Sequence, residues 1–169
     1  MSLTNFNKVI TWNDFTKVPS RPWGKSEDAV ISASWDIDAS FGRKGNAIVI
    51  EKYTVNIFLI PEKCTALNTS VVAANAAYIL KHEQGHYDII ALGAREFHDK
   101  VGKLSADTEV ELNTKINDLK TKISDDTDIV DERYDTATNH SMNIAVQQAW
   151  DLKISAAKRN LKGTIKDLP

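Results

Sequence analysis

The chain has 169 residues, with one cysteine, four histidines and a formal net charge of −2. Chains usually divide into domains of about 100–200 residues, so we expect residues 1–169 to form one domain. The single cysteine excludes an internal disulfide framework and a Cys-rich zinc ribbon. The near-neutral charge argues against a nucleic-acid partner, which would require a basic surface. A histidine metal site would use most of the available histidines.

The first third of the sequence has the pattern of β-strands. Asp28–Ser40 alternates apolar and polar residues, and Ala47–Ile60 is rich in β-branched and aromatic residues. Gly42–Asn46 has turn composition, and Pro61 ends the second run because proline cannot donate to a β-ladder. These features predict an antiparallel hairpin. A further short strand is expected within Lys8–Phe15, and residues 1–61 are expected to be β-rich.

Residues 69–162 have the pattern of helices. The apolar spacing predicts three of them, over Val71–Gly102, Ala106–Ser124 and Glu132–Leu161. Asn68–Ser70 offers good N-cap residues for the first, and the acidic run Asp125–Asp128 is expected to separate the second from the third. Strands followed by helices predict an α+β fold, in which a small antiparallel sheet packs on a long helix and two further helices.

No segment predicts a transmembrane helix or a signal peptide. The longest apolar stretches, Val71–Leu80 and Val55–Ile60, are far shorter than the ~20 residues that span a bilayer. Met1–Asn5 has neither a basic region nor an apolar run.

Residues 82–86 spell H-E-x-x-H within the first predicted helix. Residues i and i+4 lie on one face of a helix, so His82 and His86 can both reach one zinc ion at about 2.0–2.1 Å. Glu83 lies beside that face and can accept a proton from a water that the metal activates. The motif therefore predicts a catalytic zinc site, with two polar surface histidines as the alternative.

A catalytic zinc usually has a third protein ligand. Glu96 and His98 lie ~15 Å or more along a straight helix from His86, so the third ligand is expected from another element. His140, near the start of the last predicted helix, is the candidate, and the neighbouring carboxylates Asp135 and Glu132 remain as alternatives.

The sequence resembles the bacterial family called domain of unknown function 922, whose members are predicted secreted zinc-dependent peptidases. Three blocks carry the resemblance. The first is Thr11-Trp12-Asn13-Asp14-Phe15 followed by Pro19, and the second is Leu80–Ile89 followed by Ala94-Arg95. The third comprises Tyr134-Asp135, Thr138, His140-Ser141, Gln147 and Trp150. Ser141 stands where the family often has glycine, and Tyr87 replaces a phenylalanine; neither change removes a ligand.

The resemblance implies a zincin-like metallopeptidase, similar to gluzincins or metzincins, with His82, His86 and His140 as zinc ligands. It also implies a secreted or periplasmic protein that acts on a protein or peptide substrate. In this mechanism Glu83 is the general base and then the general acid. Tyr134 is the candidate donor to the oxyanion, with a buried packing role as its alternative.

Other expectations concern the surroundings of the site. Asp135 and Gln147 are candidates to orient the ligand histidines. Strand Thr54–Ile60 is a candidate edge for binding an extended substrate. Trp12, Trp35 and Trp150 are expected in the core, and Trp23 in an exposed loop. The alternative to an enzyme is an inactive metal-binding or helical interaction module of the cell envelope.

Overall fold

Two small β-sheets and three long helices make up the fold in the computed structural model, which describes residues 1–21 and 27–169. The strands are β1 (Ser2–Thr4), β2 (Thr16–Val18), β3 (Ala29–Val30), β4 (Ala33–Lys44), β5 (Ala47–Leu59), β6 (Thr65–Leu67) and β7 (Ser105–Ala106). The helices are α1 (Asn68–Val71), α2 (Ala76–Val101), α3 (Glu109–Thr138) and α4 (Ile144–Arg159). This is the expected α+β fold, with α2 as the long helix that carries H-E-x-x-H. The prediction for Trp23 lies outside the described residues.

The hairpin β4–β5 forms the larger sheet, as predicted. Its register runs from the pair Ala33 and Leu59 to the pair Lys44 and Ala47, and Gly45 in the turn has a φ of 64°. The strand β1 adds to the other side of β5 in parallel, so the sheet is mixed rather than wholly antiparallel. The short strand β7 also pairs with β5.

The smaller sheet has the order β2-β6-β3. The strand predicted within Lys8–Phe15 is wrong, because Trp12–Asp14 forms a 3₁₀ turn instead. The Asp14 carboxylate accepts a hydrogen bond from Thr11 N at 2.7 Å, which pairs a backbone N–H at the start of that turn. Strand β2 therefore begins only after the turn, at Thr16.

The helix boundaries differ from the predicted ones in several places. Helix α2 begins at Ala76 rather than Val71, because Asn68–Val71 forms the separate short helix α1, and the N-cap residue of α2 is Asn75 rather than one of Asn68–Ser70. The second predicted helix begins at Glu109 rather than at Ala106, which belongs to β7.

Helix α3 is continuous over 30 residues, so the predicted break at Asp125–Asp128 is wrong. Buried Ile123, Thr127 and Val130 extend the inward face through this acidic run. The chain instead breaks at residues 139–143, within the helix that was predicted to begin at Glu132. The end of α2 at Gly102 agrees with the prediction.

Helix α2 lies at the centre of the molecule. One side packs on the larger sheet through Tyr87 and Phe97, and the other packs on α3 and α4 through Ile89 and Leu92. Trp35 and Trp150 are buried, as expected, whereas Trp12 is only half-buried and packs against the edge of the core. A helix covered on both sides holds its side chains in fixed rotamers, which suits it to carry a metal site.

None of the helices in the described residues is both long enough and apolar enough to span a bilayer.

Candidate metal centre

His82 and His86 lie one turn apart on α2 and face α3. Both imidazoles are buried, since 3% of the surface of His82 and 8% of that of His86 is exposed. Their Nε2 atoms are 3.1 Å apart. The i and i+4 spacing therefore places the two ring nitrogens side by side, as the motif predicts. Such convergence of two buried imidazoles fits a shared ligand better than a polar helix surface.

Asp135 on α3 brings a carboxylate oxygen to the same point. Its Oδ1 lies 3.1 Å from Nε2 of His82 and 3.1 Å from Nε2 of His86. The three atoms form a nearly equilateral triangle and are close enough to hold one metal ion. In a tetrahedral zinc site with bonds of about 2.0–2.1 Å, ligand atoms lie about 3.3–3.4 Å apart, which matches the triangle within a few tenths of an ångström.

His140 lies at the same pocket but outside this triangle. Its Nδ1 is 3.4 Å from Oδ2 of Asp135 and 4.0 Å from Oε1 of Glu27. Glu132, the other alternative ligand, is exposed on the outer side of α3. Among the three candidates named from the sequence, Asp135 is therefore the one that the fold brings to both His82 and His86.

Asp131 orients His86. Its Oδ1 lies 2.7 Å from Nδ1 of His86, so that ring nitrogen carries the hydrogen and Nε2 keeps a lone pair toward the centre. Burial lowers the pKa of His86, but the hydrogen bonds to Asp131 and Asp135 outweigh it and raise that pKa well above its ordinary value. Sequence reasoning missed Asp131, although its i and i+4 spacing with Asp135 on one helix face mirrors that of His82 and His86.

Gln147 does not orient either histidine. Its side chain is fully buried, and neither of its polar atoms has a hydrogen-bond partner within the described residues. The other orienting candidate, Asp135, contacts the Nε2 atoms that face the centre rather than the Nδ1 atoms behind them.

Glu83 lies beside the centre with 2% of its surface exposed. Its Oε2 accepts a hydrogen bond from Ile31 N at 2.7 Å, which fixes the carboxylate against the segment that follows β3. Burial raises the pKa of Glu83, and the nearby imidazoles of His86 and His82 oppose this without cancelling it. A buried carboxyl with a raised pKa is typical of a group that exchanges protons.

Tyr134 is fully buried against the two histidines. Its ring stacks on His82 with centroids 4.8 Å apart, and its hydroxyl donates to the His82 carbonyl at 3.3 Å. Burial raises the pKa of this phenol far above its ordinary value. The hydroxyl is turned into the protein rather than toward the pocket, so the geometry favours the packing role over the role of oxyanion donor.

A pocket of about 160 Å³ opens over the centre. Its walls include His82 and His86, Glu83, Asp135, His140 and the strand β3. Strand Thr54–Ile60 does not offer the expected substrate edge. None of its residues lines the pocket, β4 pairs with one side of β5, and β1 pairs with Thr54–Asn56 on the other. Within the described residues, the strand edge that reaches the pocket belongs to β3, one of the two outer strands of the smaller sheet.

The family model described as "Bacterial protein of unknown function (DUF922)" matches residues 17–141. The chain belongs to this family. The matched part of this DUF922 chain contains H-E-x-x-H, Asp131, Asp135 and His140, and so includes every residue of the centre described above. Neither the curated proteins nor the solved structures include a match to this chain.

Proposed function

We propose that this chain is a zinc-dependent metallopeptidase whose ligands are His82, His86 and Asp135. The observation that carries the proposal is the buried triangle of three ligand atoms with the Glu83 carboxylate beside it. Two imidazoles and one carboxylate form a known ligand set of catalytic zinc, which leaves the fourth position for water. The same donor set also suits non-haem Fe(II), so the metal itself has to be measured.

Zinc in this position would lower the pKa of its water to about 7 and polarise the scissile carbonyl. Glu83 accepts one proton as the water oxygen bonds to the carbonyl carbon. When the C–N bond breaks, Glu83 returns that proton to the leaving nitrogen. The second proton of the water passes from the new carboxylic acid to the amine, so the products are a carboxylate and an ammonium group. The burial that raises the pKa of Glu83 favours the first of its two transfers, in which it accepts the proton of the water.

The proposed substrate is an extended segment of a protein or peptide. Alternate residues of a strand point their backbone groups to opposite sides, and Asp28 accepts from Leu67 N in β6. Ala29 therefore presents its N–H and carbonyl to the other side, toward the pocket. A peptide that adds to this edge of β3 gains main-chain hydrogen bonds without requiring a particular side chain. The family resemblance favours an exported protein as the setting.

The alternative is an inactive module that keeps a metal, or helix packing alone, for a role in the cell envelope. A structural metal site has no use for a buried base beside the ligands. Burying a carboxyl costs free energy, and among the described residues only the hydrogen bond from Ile31 N offsets this cost at Glu83. This cost favours the catalytic proposal.

Elemental analysis of protein purified without chelators tests the metal. The proposal expects about one zinc per chain, and loss of that zinc in His86→Ala but not in His98→Ala, which removes a histidine outside the pocket. Iron in place of zinc, or no bound metal in the wild type, would contradict it.

Hydrolysis of fluorescently labelled casein by wild type and Glu83→Gln tests the base. Glutamine keeps the shape and can still accept the hydrogen bond from Ile31 N, so the variant should retain zinc. A general base typically contributes about 10²–10⁴-fold to the rate, so the rate of hydrolysis by Glu83→Gln should fall by about 10²-fold or more. Equal rates in zinc-loaded wild type and variant would rule out this mechanism.

A further inference from the structure

We propose that His140 is a catalytic residue that hydrogen-bonds the substrate carbonyl oxygen as it gains negative charge, and that it does not ligate the metal. This inference rests on the proposed function. It replaces the ligand role that the sequence suggested for this histidine, because Asp135 already completes the triangle with His82 and His86.

Among the described residues, the walls of the pocket offer few side-chain hydrogen-bond donors. Carboxylates and apolar side chains dominate them, Ile31 N is already bonded to Glu83, and in the proposed function the N–H of Ala29 pairs with the main chain of the substrate. Apart from the two ligand histidines, the described side chains of the wall that can donate are those of His140 and Ser141. Tyr134, the other candidate, directs its hydroxyl to the His82 carbonyl. Peptide hydrolysis needs a donor at the developing oxyanion, and His140 meets that need.

The position of His140 suits contact with a substrate. Its side chain is 42% exposed, whereas those of His82 and His86 are almost wholly covered. The Nδ1 distances to Asp135 and Glu27, 3.4 and 4.0 Å, exceed the usual 2.7–3.2 Å of an N–H···O hydrogen bond. Among the described residues, the carboxylates of Asp135 and Glu27 therefore hold the imidazole near the centre without a short hydrogen bond that would occupy its N–H.

The backbone that carries His140 is strained. Asn139, His140 and Ser141 have φ angles of 49°, 48° and 70°, and three successive non-glycine residues in this left-handed region are rare. The turn is held by hydrogen bonds from Asn143 N to the Thr138 carbonyl and from His140 N to the Asp135 carbonyl. Such strain persists only where the surroundings enforce it, and it occurs most often at functional sites. Here it directs one side chain into the mouth of the pocket.

The test compares His140→Ala, His140→Gln and Asp135→Ala. Zinc affinity is measured by competition with a chelator, and casein hydrolysis is measured on the zinc-loaded proteins. His140→Ala should bind zinc like the wild type and lose about 10²–10³-fold in kcat, the range for removal of one oxyanion donor, with little change in KM. His140→Gln keeps a neutral donor and should retain more activity. Asp135→Ala should lose zinc affinity.

Two further measurements separate a direct role from a structural one. Imidazole added to His140→Ala should restore part of the rate, because the side chain lies at an open mouth that a small molecule can enter. Ser141→Ala removes the competing donor and should change kcat less than tenfold.

Several outcomes would overturn this role. A fall in the zinc affinity of His140→Ala as large as that of Asp135→Ala would make His140 a ligand. Hydrolysis by His140→Ala at the wild-type rate, or loss of activity in Ser141→Ala alone, would also exclude it while leaving the metallopeptidase proposal intact. Zinc-loaded wild type that cleaves nothing would instead overturn the proposed function, and this role with it.

Discussion

Gly85 lies directly against Tyr134 where α2 crosses α3. A Cβ on Gly85 would come within 2.4 Å of the Tyr134 hydroxyl oxygen and 2.6 Å of the ring carbon that bears it. The Tyr134 ring also stacks on His82, and Asp135 is the next residue of α3. The glycine within H-E-x-x-H therefore allows the close helix contact that brings Asp135 to the two histidines.

Gly85→Ala should destabilise the protein, although alanine is the better helix former by about 1 kcal/mol. The added methyl group meets a fully buried tyrosine that cannot move into solvent, and overpacking of this kind costs about 1–3 kcal/mol. Zinc affinity should fall as well, because α3 must move away. Denaturant unfolding in EDTA and chelator competition measure the two effects. Lys81→Ala, at an exposed site on the same helix, is the control; a more stable Gly85→Ala would refute the packing argument.

Tyr134→Phe should have only a modest effect on catalysis. The variant keeps the ring that packs on His82, and it removes a hydroxyl that is buried and bonded to the His82 carbonyl. We expect a stability loss of about 1 kcal/mol, the usual contribution of one hydrogen bond, and a kcat within tenfold of wild type. Thermal unfolding and casein hydrolysis measure these values. A loss in kcat of about 10²-fold or more would instead restore Tyr134 as the oxyanion donor.

Asp131→Ala should weaken zinc binding by about 10–100-fold, the usual effect of removing a partner that orients a metal-binding histidine. The His86 Nδ1–H then loses its acceptor at 2.7 Å, and the ring is free to rotate away from the centre. Asp131→Asn keeps an acceptor oxygen and should lose less. Chelator competition measures both, with Asp118→Asn on the exposed face of α3 as the control. Wild-type affinity in Asp131→Ala would show that packing alone orients His86.

The parts of the fold that follow from local signals could be predicted from the sequence. The β4–β5 hairpin has period-two alternation in its first strand, β-branched and aromatic residues in its second and a Gly45-Asn46 turn, and all of these are properties of neighbouring residues. The continuity of α3 through Asp125–Asp128 depends instead on tertiary packing. There Thr127 is buried against Gly93, and a Cβ on that glycine would lie 2.2 Å from the Thr127 hydroxyl oxygen. Local composition does not reveal such a contact.

The same distinction applies to the site. His82, Glu83 and His86 lie on one helix, so their spacing alone predicts their arrangement. The third member of the triangle, Asp135, depends on how α3 packs across α2, and residue spacing cannot show that packing. From the sequence, Asp135 is therefore only one of three candidates. The turn at Asn139 was not predicted, because it contains no glycine or proline and follows a helix without a compositional change.

Bound zinc should stabilise the protein against heat. A ligand that binds only the folded chain adds about 2.7 kcal/mol at 100 times its Kd, and for a protein of this size that corresponds to an increase in Tm of about 5–11 °C. Thermal scans of chelated protein with and without added zinc measure the shift. Mg²⁺ should give none, because it prefers oxygen ligands and the triangle contains two imidazoles. An equal shift in His86→Ala would place the zinc elsewhere.

Ser141→Gly should stabilise the protein. Ser141 has a φ of 70°, and the left-handed conformation costs a non-glycine residue about 1–2 kcal/mol that glycine avoids. Glycine also gives the unfolded chain more freedom, which offsets about 0.4–1 kcal/mol of that gain. The net gain is therefore about 0–1.6 kcal/mol, and its midpoint of about 0.8 kcal/mol corresponds to about 2–3 °C in Tm. The same conformation accounts for the glycine that the family often has at the position of Ser141, directly after His140.

Ser124→Gly, inside α3, is the matched control. It should destabilise the protein by a few tenths of a kcal/mol or more, because glycine is a poorer helix former than serine. A Tm that falls in Ser141→Gly would mean that the serine hydroxyl makes a contact worth more than the strain it imposes.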